Sequence, residues 1–250
     1  IKERAKHLLR FKEAILDNVD DLAQLISRET GKTINEALSL EIFPAVALID
    51  HFCSVAEDVL KPEEIKLYIL KHKKSYIHYK PLGVIGVISP WNVPFAITTG
   101  ELTMSLIAGN SVVLKPSEIT TMISLESKKI FDSVVPIQDV YQVTPGFGET
   151  GQLLIDSGVN KVVFTGSGAT GIKVAEACAK NLIPCTLELG GKSPAIITDD
   201  IDMERTVHSI IWGAFANSGQ ICASVDRLYV NHKVYGTLIS MLIRECSKLR

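Results

Sequence analysis

At 250 residues, 46% hydrophobic and 22% charged, the chain is long enough for one large domain or two smaller ones and apolar enough for a sizeable core. That balance excludes disorder. A formal charge of −2, from 26 basic against 28 acidic residues, argues against a general nucleic-acid binder, which carries a basic face.

The first elements in chain order are helical. Residues 3–29 repeat apolar positions at helical spacing, with a break near Asp17-Asn18 that predicts two helices and with Gly31 ending the second. Glu36 to Leu60 reads as a further helix, with Pro44 as a possible kink. Tyr68 to Tyr79 changes character. Its β-prone Tyr76 to Tyr79 and the preceding Lys71, Lys73 and Lys74 fit a protruding hairpin or guarded edge strand as well as a solvated charged loop.

From Leu82 the pattern alternates. Short apolar strands are expected at 84–88, 111–114, 140–143, 161–164 and 185–188, with helices at 96–108, 119–131, 151–157 and 171–181 between them. Buried strands alternating with helices predict a parallel sheet with right-handed crossovers. Val234 to Arg250 reads as an amphipathic helix with Leu238, Met241, Leu242 and Leu249 along one side. The chain starts at Ile1 and stops in that helix without a capping glycine, which predicts missing sequence at both ends. No uninterrupted apolar run reaches the ~18 residues of a membrane helix.

The five cysteines, at 53, 178, 185, 222 and 246, form no C-x-x-C pair. Neither a disulfide framework nor a zinc site is therefore expected, and a reducing, cytoplasmic compartment fits. Cys53, Cys178, Cys185 and Cys246 fall within helix or strand patterns. Cys222 ends a run of small residues, Phe215-Ala-Asn-Ser-Gly-Gln-Ile-Cys222, and reads either as a buried small residue or as a nucleophile.

Ligands on a parallel sheet bind at the carboxyl ends of its strands, where several motifs fall. Gly146-Phe-Gly148-Glu-Thr-Gly151 and Gly166-Ser-Gly168-Ala-Thr-Gly171 each match G-x-G-x-x-G between a predicted strand and a predicted helix. Such turns bring backbone and helix N–H groups close to a phosphate, so the pair favours a nucleotide cofactor. The simple fingerprint would put an acidic ribose ligand about 20 residues after Gly166, at Glu188. Lys115-Pro-Ser117-Glu118, after another strand, offers a second ribose site. A carboxylate there would repel a 2′-phosphate and favour NAD over NADP. An ordinary turn and helix cap, with Ser117 or Thr120 capping, fits the same residues.

Together these segments resemble the aldehyde dehydrogenase superfamily. The pieces run in family order: Glu29-Thr-Gly-Lys32, Pro81-Leu-Gly-Val-Ile-Gly-Val-Ile-Ser-Pro-Trp-Asn92, Lys115-Pro-Ser-Glu118, Phe164-Thr-Gly-Ser167, Glu188-Leu-Gly-Gly-Lys192 and Gly219-Gln-Ile-Cys222. The resemblance implies a Rossmann-like, doubly wound parallel sheet followed by the start of a second α/β catalytic domain. It implies an NAD-binding domain at 1–62 and 82–190, an oligomerisation hairpin at 63–81 and an incomplete catalytic domain at 191–250. It makes Cys222 the nucleophile, Glu188 the general base and Asn92 the oxyanion donor. Lys115, Ser117, Glu118, Gly148, Gly166, Ser167 and Trp91 become cofactor contacts.

The implied reaction is NAD-dependent oxidation of an aldehyde without a metal, in a full-length homodimer or homotetramer with no nucleic-acid or membrane partner. Other readings stay open at this level. The chain could be an incomplete cofactor-binding fragment. It could be a cysteine hydrolase, although only His208 and His232 lie near Cys222 in sequence and neither sits in a motif. Acyl transfer to coenzyme A instead of water is a third alternative, and Glu188 argues against it.

Overall fold

The computed structural model describes residues 1–249. They form two compact units, Ile1–Glu188 and the residues from Leu189 onward. The first unit opens with α1 (Lys2–Asp17) and α2 (Val19–Thr30), separated at Asn18. Gly31 ends α2 in the left-handed conformation, the αL cap that glycine adopts without a Cβ penalty.

A continuous helical stretch follows: α3 (Ile34–Glu36), a π-helical segment at Ala37–Ile42, and α4 (Phe43–Val59). The wide π turns lie immediately before Pro44, where a proline ring would clash with the carbonyl of a regular turn. The proline thus alters the helix upstream of itself without ending it. This stretch also corrects the reading of apolar runs. Within the 26 residues of Ile34–Val59 an 18-residue window reaches mean hydropathy 1.5, long and apolar enough to cross a membrane by length and composition. Glu41 and Asp50 interrupt it, so counting unbroken runs missed it. Ala37, Ile42, Ala45, Ile49 and Ala56 are buried in the first unit's core, whereas Phe43 and Val59 of the same stretch are exposed.

A short antiparallel pair, β1 (Glu63–Ile65) with β2 (Ser75–Ile77), precedes the main sheet. The sheet comprises β3 (Val84–Ile88), β4 (Ser111–Lys115), β5 (Tyr141–Val143), β6 (Lys161–Gly166) and β7 (Cys185–Leu189). Its order is β5-β4-β3-β6-β7, and the β3–β4, β3–β6 and β4–β5 pairs are parallel. The chain winds outward from β3 to one edge, then returns across it to build the other. The intervening helices are α5 (Ala96–Ile107), α6 (Thr121–Val134), α7 (Gly148–Asp156) and α8 (Gly168–Lys180).

Strand alternation sends side chains to two cores. Ile85 and Val87 of β3, with Val112 and Leu114 of β4, join the layer of α1, α2 and α4 to α6. Ile88, Val162 and Phe164 join Leu154, Ile155 and Val174 of α7 and α8, against which Val84 and Val113 also pack. Helices thus cover both faces, as in a doubly wound sheet. On the second face Gly86 permits close approach, since a Cβ there would lie 3.2 Å from the Val159 side chain and 3.3 Å from that of Leu154.

The second unit pairs β8 (Ser193–Ile197) in parallel with β9 (Val225–Val230), connected through α9 (Met203–Phe215) and a 3-10 turn, and followed by α10 (His232–Cys246). Ile197, Val207, Ile210 and Leu238 form its core.

Two helices of the first unit receive N-terminal caps from far away in sequence. Thr120, at the N-terminus of α6, makes no side-chain cap bond. Instead, the Glu29 carboxylate accepts from the Met122 and Ile123 N–H groups, both at 2.8 Å. An anion there satisfies orphan donors and opposes the helix dipole. Glu29→Ala is expected to lower unfolding stability by about 1–2 kcal/mol in urea titration; an unchanged midpoint would contradict this role.

Candidate active site

The loop after β3 carries Trp91 and Asn92 and leads into α5, whose N-cap Phe95 makes no side-chain cap bond. Glu41, from the π-helical segment, supplies the cap. Its Oε2 accepts from Phe95 N–H at 3.0 Å and Ala96 N–H at 2.9 Å, and its Oε1 accepts from Lys32 Nζ at 2.5 Å. Lys32 Nζ also donates to the Asn92 carbonyl oxygen at 2.9 Å. Burial pushes the Glu41 carboxyl above its ordinary value, and the Lys32 charge and the N–H donors pull it down. Trp91 is exposed.

After β4, Lys115 Nζ lies 3.3 Å from Glu118 Oε2. Lys115 is buried, while the Glu118 carboxylate reaches solvent. The backbone N–H of Glu118 itself, more than the Lys115 ammonium, holds this carboxyl below the usual range, against a smaller push from desolvation. Ser117 is buried and occupied within the turn: its hydroxyl accepts from Ile119 N–H at 3.3 Å and its carbonyl from Thr121 Oγ1 at 3.0 Å.

The two glycine motifs lie at the β5–α7 and β6–α8 junctions. Gly148 opens α7, and a Cβ there would meet nothing within 4 Å, so the protein itself does not demand glycine at that point. A Cβ on Gly166 would lie 2.6 Å from the Phe164 ring. Ser167 caps α8, its Oγ accepting from Thr170 N–H at 3.2 Å. A partly exposed Lys–Glu pair, an unobstructed glycine and two helix N-termini at the strand ends fit a dinucleotide. Among the described residues, no group of His, Cys, Asp and Glu could hold a metal ion.

Glu188 ends the first unit, exposed, on β7. Its charge acts on Glu101 of α5, a carboxyl that is 7% exposed. Glu101 Oε1 accepts from Thr165 Oγ1 at 3.0 Å, and its buried Oε2 has no partner among the described residues. Burial first, and then Glu188, raise the Glu101 pKa to about 7, with the Thr165 bond opposing.

In the second unit, Cys222 is exposed just beyond the 3-10 turn Ala216–Gly219. Three successive residues there are left-handed: Asn217 at φ 52°, Ser218 at φ 57° and Gly219 at φ 75°. Positive φ is unusual for residues with side chains and marks a backbone held by its surroundings. Buried Asn217 provides part of that hold: its Nδ2 donates to the Gln220 carbonyl at 3.2 Å, and its own carbonyl accepts from Gln220 N–H at 3.0 Å. A Cβ on Gly219 would come within 2.9 Å of the Ala214 carbonyl oxygen. A larger residue there would displace the segment that presents the thiol.

A family model described as Aldehyde dehydrogenase family matches residues 1–250. The chain belongs to that family. It is 37% identical to the 4,4'-diapolycopene aldehyde oxidase of Methylomonas sp over 252 residues, covering 100% of this chain and 48% of that relative. An E. coli NADP-dependent enzyme superposes with TM-score 0.94 at 33% identity, over 100% of this chain and 52% of its own. PnpE in complex with nicotinamide adenine dinucleotide gives TM-score 0.93 at 33% identity, over 100% and 51%. The chain thus spans about half the length of the relatives it matches.

In this aldehyde dehydrogenase chain, sequence reasoning gave no role to Lys32, Glu41 or Glu101, although Lys32 stands in a quoted motif. The available signal was an acid set inside an apolar helical pattern, where a charge must be paired or neutralised. Glu101 also sets a pH dependence. Its pKa is raised in the folded state from 4.5 to about 7, so the folded chain holds the proton more tightly than the unfolded chain. Stability therefore falls as pH rises through that window. At about 1.4 kcal/mol per unit, the loss reaches roughly 3 kcal/mol above neutral pH. Urea midpoints against pH should slope downward for the unmodified chain relative to Glu101→Gln; parallel profiles would contradict the assignment.

Proposed function

We propose that the protein carrying this chain oxidises an aldehyde to a carboxylic acid with NAD as cofactor, through a thiohemiacetal and then a thioester on Cys222. The observation that carries the reading is an exposed thiol just beyond a strained turn, in a chain that matches the family model over residues 1–250. An aldehyde substrate is further supported by the printed name of the Methylomonas relative.

The chemistry explains why these residue types are needed. An aldehyde carbon is planar and a poor hydride donor. Attack by the Cys222 thiolate makes it tetrahedral and leaves a negative oxygen. An ordinary thiol is mostly protonated at neutral pH, so it needs activation, which Glu188 and the positive nicotinamide ring of bound NAD would each favour. The Asn92 side-chain amide donates to the developing oxyanion without bringing a charge. Loss of one such donor typically costs about 2.7–4 kcal/mol of transition-state stabilisation. NAD, when bound, supplies the hydride acceptor, with Lys115, Ser117, Glu118, Gly148, Gly166, Ser167 and Trp91 as its contacts. The thioester left on Cys222 is then hydrolysed by water that Glu188 deprotonates, which releases the acid.

Preference for NAD over NADP rests on Glu118, a solvent-facing carboxylate held ionised, which would repel a 2′-phosphate. A second reading, an incomplete cofactor-binding fragment, is favoured by the chain spanning 48% of the Methylomonas relative.

The test follows NADH formation by the full gene product with a panel of aldehydes. Cys222→Ala should abolish turnover yet leave NAD affinity nearly intact. Glu188→Gln should give a burst of NADH before a weak steady state. Full activity in the first variant would end the nucleophile assignment, and unchanged steady-state turnover in the second would remove Glu188 as base. The same assay on residues 1–250 alone separates the fragment reading, which expects NAD binding without turnover.

A further inference from the structure

Lys32 and Glu41 are 5% and 0% exposed within the helical layer of the first unit. Charges buried this deeply are costly, and an apolar pair of similar volume often serves stability equally well. What an apolar pair cannot supply is polar connection. Here those connections converge on one short segment. Lys32 Nζ donates to the Asn92 carbonyl oxygen at 2.9 Å, and Glu41 Oε2 accepts from Phe95 N–H at 3.0 Å and Ala96 N–H at 2.9 Å. Lys32 Nζ and Glu41 Oε1 close the network at 2.5 Å. The backbone is gripped on both sides of Val93-Pro94.

The pair is itself anchored. Lys32 follows the left-handed Gly31, and its carbonyl accepts from Ser27 Oγ at 2.7 Å. Glu41 sits in the π-helical segment, whose neighbours Ala37 and Ile42 are buried in the core.

We propose that the Lys32–Glu41 pair is a positioning clamp that fixes the Asn92 backbone and, through it, the direction of the Asn92 side-chain amide. The inference rests on the reading of Asn92 as oxyanion donor. Neither clamp residue touches substrate. An oxyanion donor is effective only when it is aimed before the reaction, and small misplacements are costly. The clamp supplies that aim from a rigid helical layer, which a loop of its own could not.

The test is a double-mutant cycle in the full gene product, reading kcat from NADH formation and NAD affinity from a separate binding titration. Asn92→Ala should lower kcat about 100-fold or more. Lys32→Met should lower kcat about tenfold, with NAD affinity unchanged within about twofold. In the Asn92→Ala background, Lys32→Met should cost less than about twofold, because there is no donor left to misaim. A purely structural role would lower activity by the same factor in both backgrounds, and that result would overturn the clamp. So would an unchanged kcat in Lys32→Met, or a loss confined to NAD affinity. An unchanged kcat in Asn92→Ala would overturn the oxyanion reading and the clamp with it, whereas a large Asn92 effect with additive Lys32 loss overturns the clamp alone. If Lys32→Met does not yield folded protein, Lys32→Met/Glu41→Leu, which leaves no buried charge, carries the same cycle and the same outcomes.

Discussion

A carboxylate at a helix N-terminus is the interaction on which the strand ends of the first unit depend. A parallel sheet directs its functional loops to one edge, and the helices that follow begin there with unsatisfied N–H groups. Two acids from the N-terminal helical region satisfy them: Glu29 for α6 and Glu41 for α5. The same acids fix where the loop bearing Asn92 and the turn bearing Lys115 and Glu118 pass into helix. A cap thereby becomes a placement device, and the helical layer that appears to be packing alone sets the geometry of two candidate contact regions.

Burial and partners give three carboxyl groups of the first unit different characters. Glu41 has a cation and two N–H donors that pull its carboxyl down, yet burial outweighs them and holds it above its ordinary value. Glu101 has only the Thr165 hydroxyl and the charge of Glu188 in its vicinity, so it moves to about 7. Glu118, open to solvent beside Lys115, stays below the usual carboxylate range. The same residue type thus spans a depressed carboxylate to a raised, near-neutral acid according to its partners.

Much of the doubly wound sheet was legible because its strands are short apolar runs buried on both faces, and alternation within β3 and β4 assigns their side chains to the two cores. Boundaries were less legible where distant groups set them. A helix was expected from Ile119, yet α6 begins at Thr121, and its N-terminus is held by Glu29, 93 residues before Met122 and 94 before Ile123. The strand β1 lies within the hairpin range 63–81 given by the resemblance, whereas Glu63 and Glu64 leave no apolar strand pattern of their own to read. In the candidate site, the Lys115–Glu118 contact follows from spacing of three residues and could be read locally. The role of Lys32 could not, since its contact with Asn92 spans 60 positions. Cys222 stood apart from the other cysteines because no helix or strand pattern runs through it, but only the resemblance chose between a buried small residue and a nucleophile, since the left-handed turn before it leaves no periodic signal.

The central claim is a covalent acyl group on Cys222, and peptide mass spectrometry tests it most directly. The Glu188→Gln full gene product would be mixed with NAD and an aldehyde, quenched in acid and digested. The account predicts a mass gain equal to the aldehyde less two hydrogens, located on the peptide that carries Cys222. A burst of NADH with no adduct, or an adduct on Cys53, Cys178, Cys185 or Cys246 instead, would contradict it.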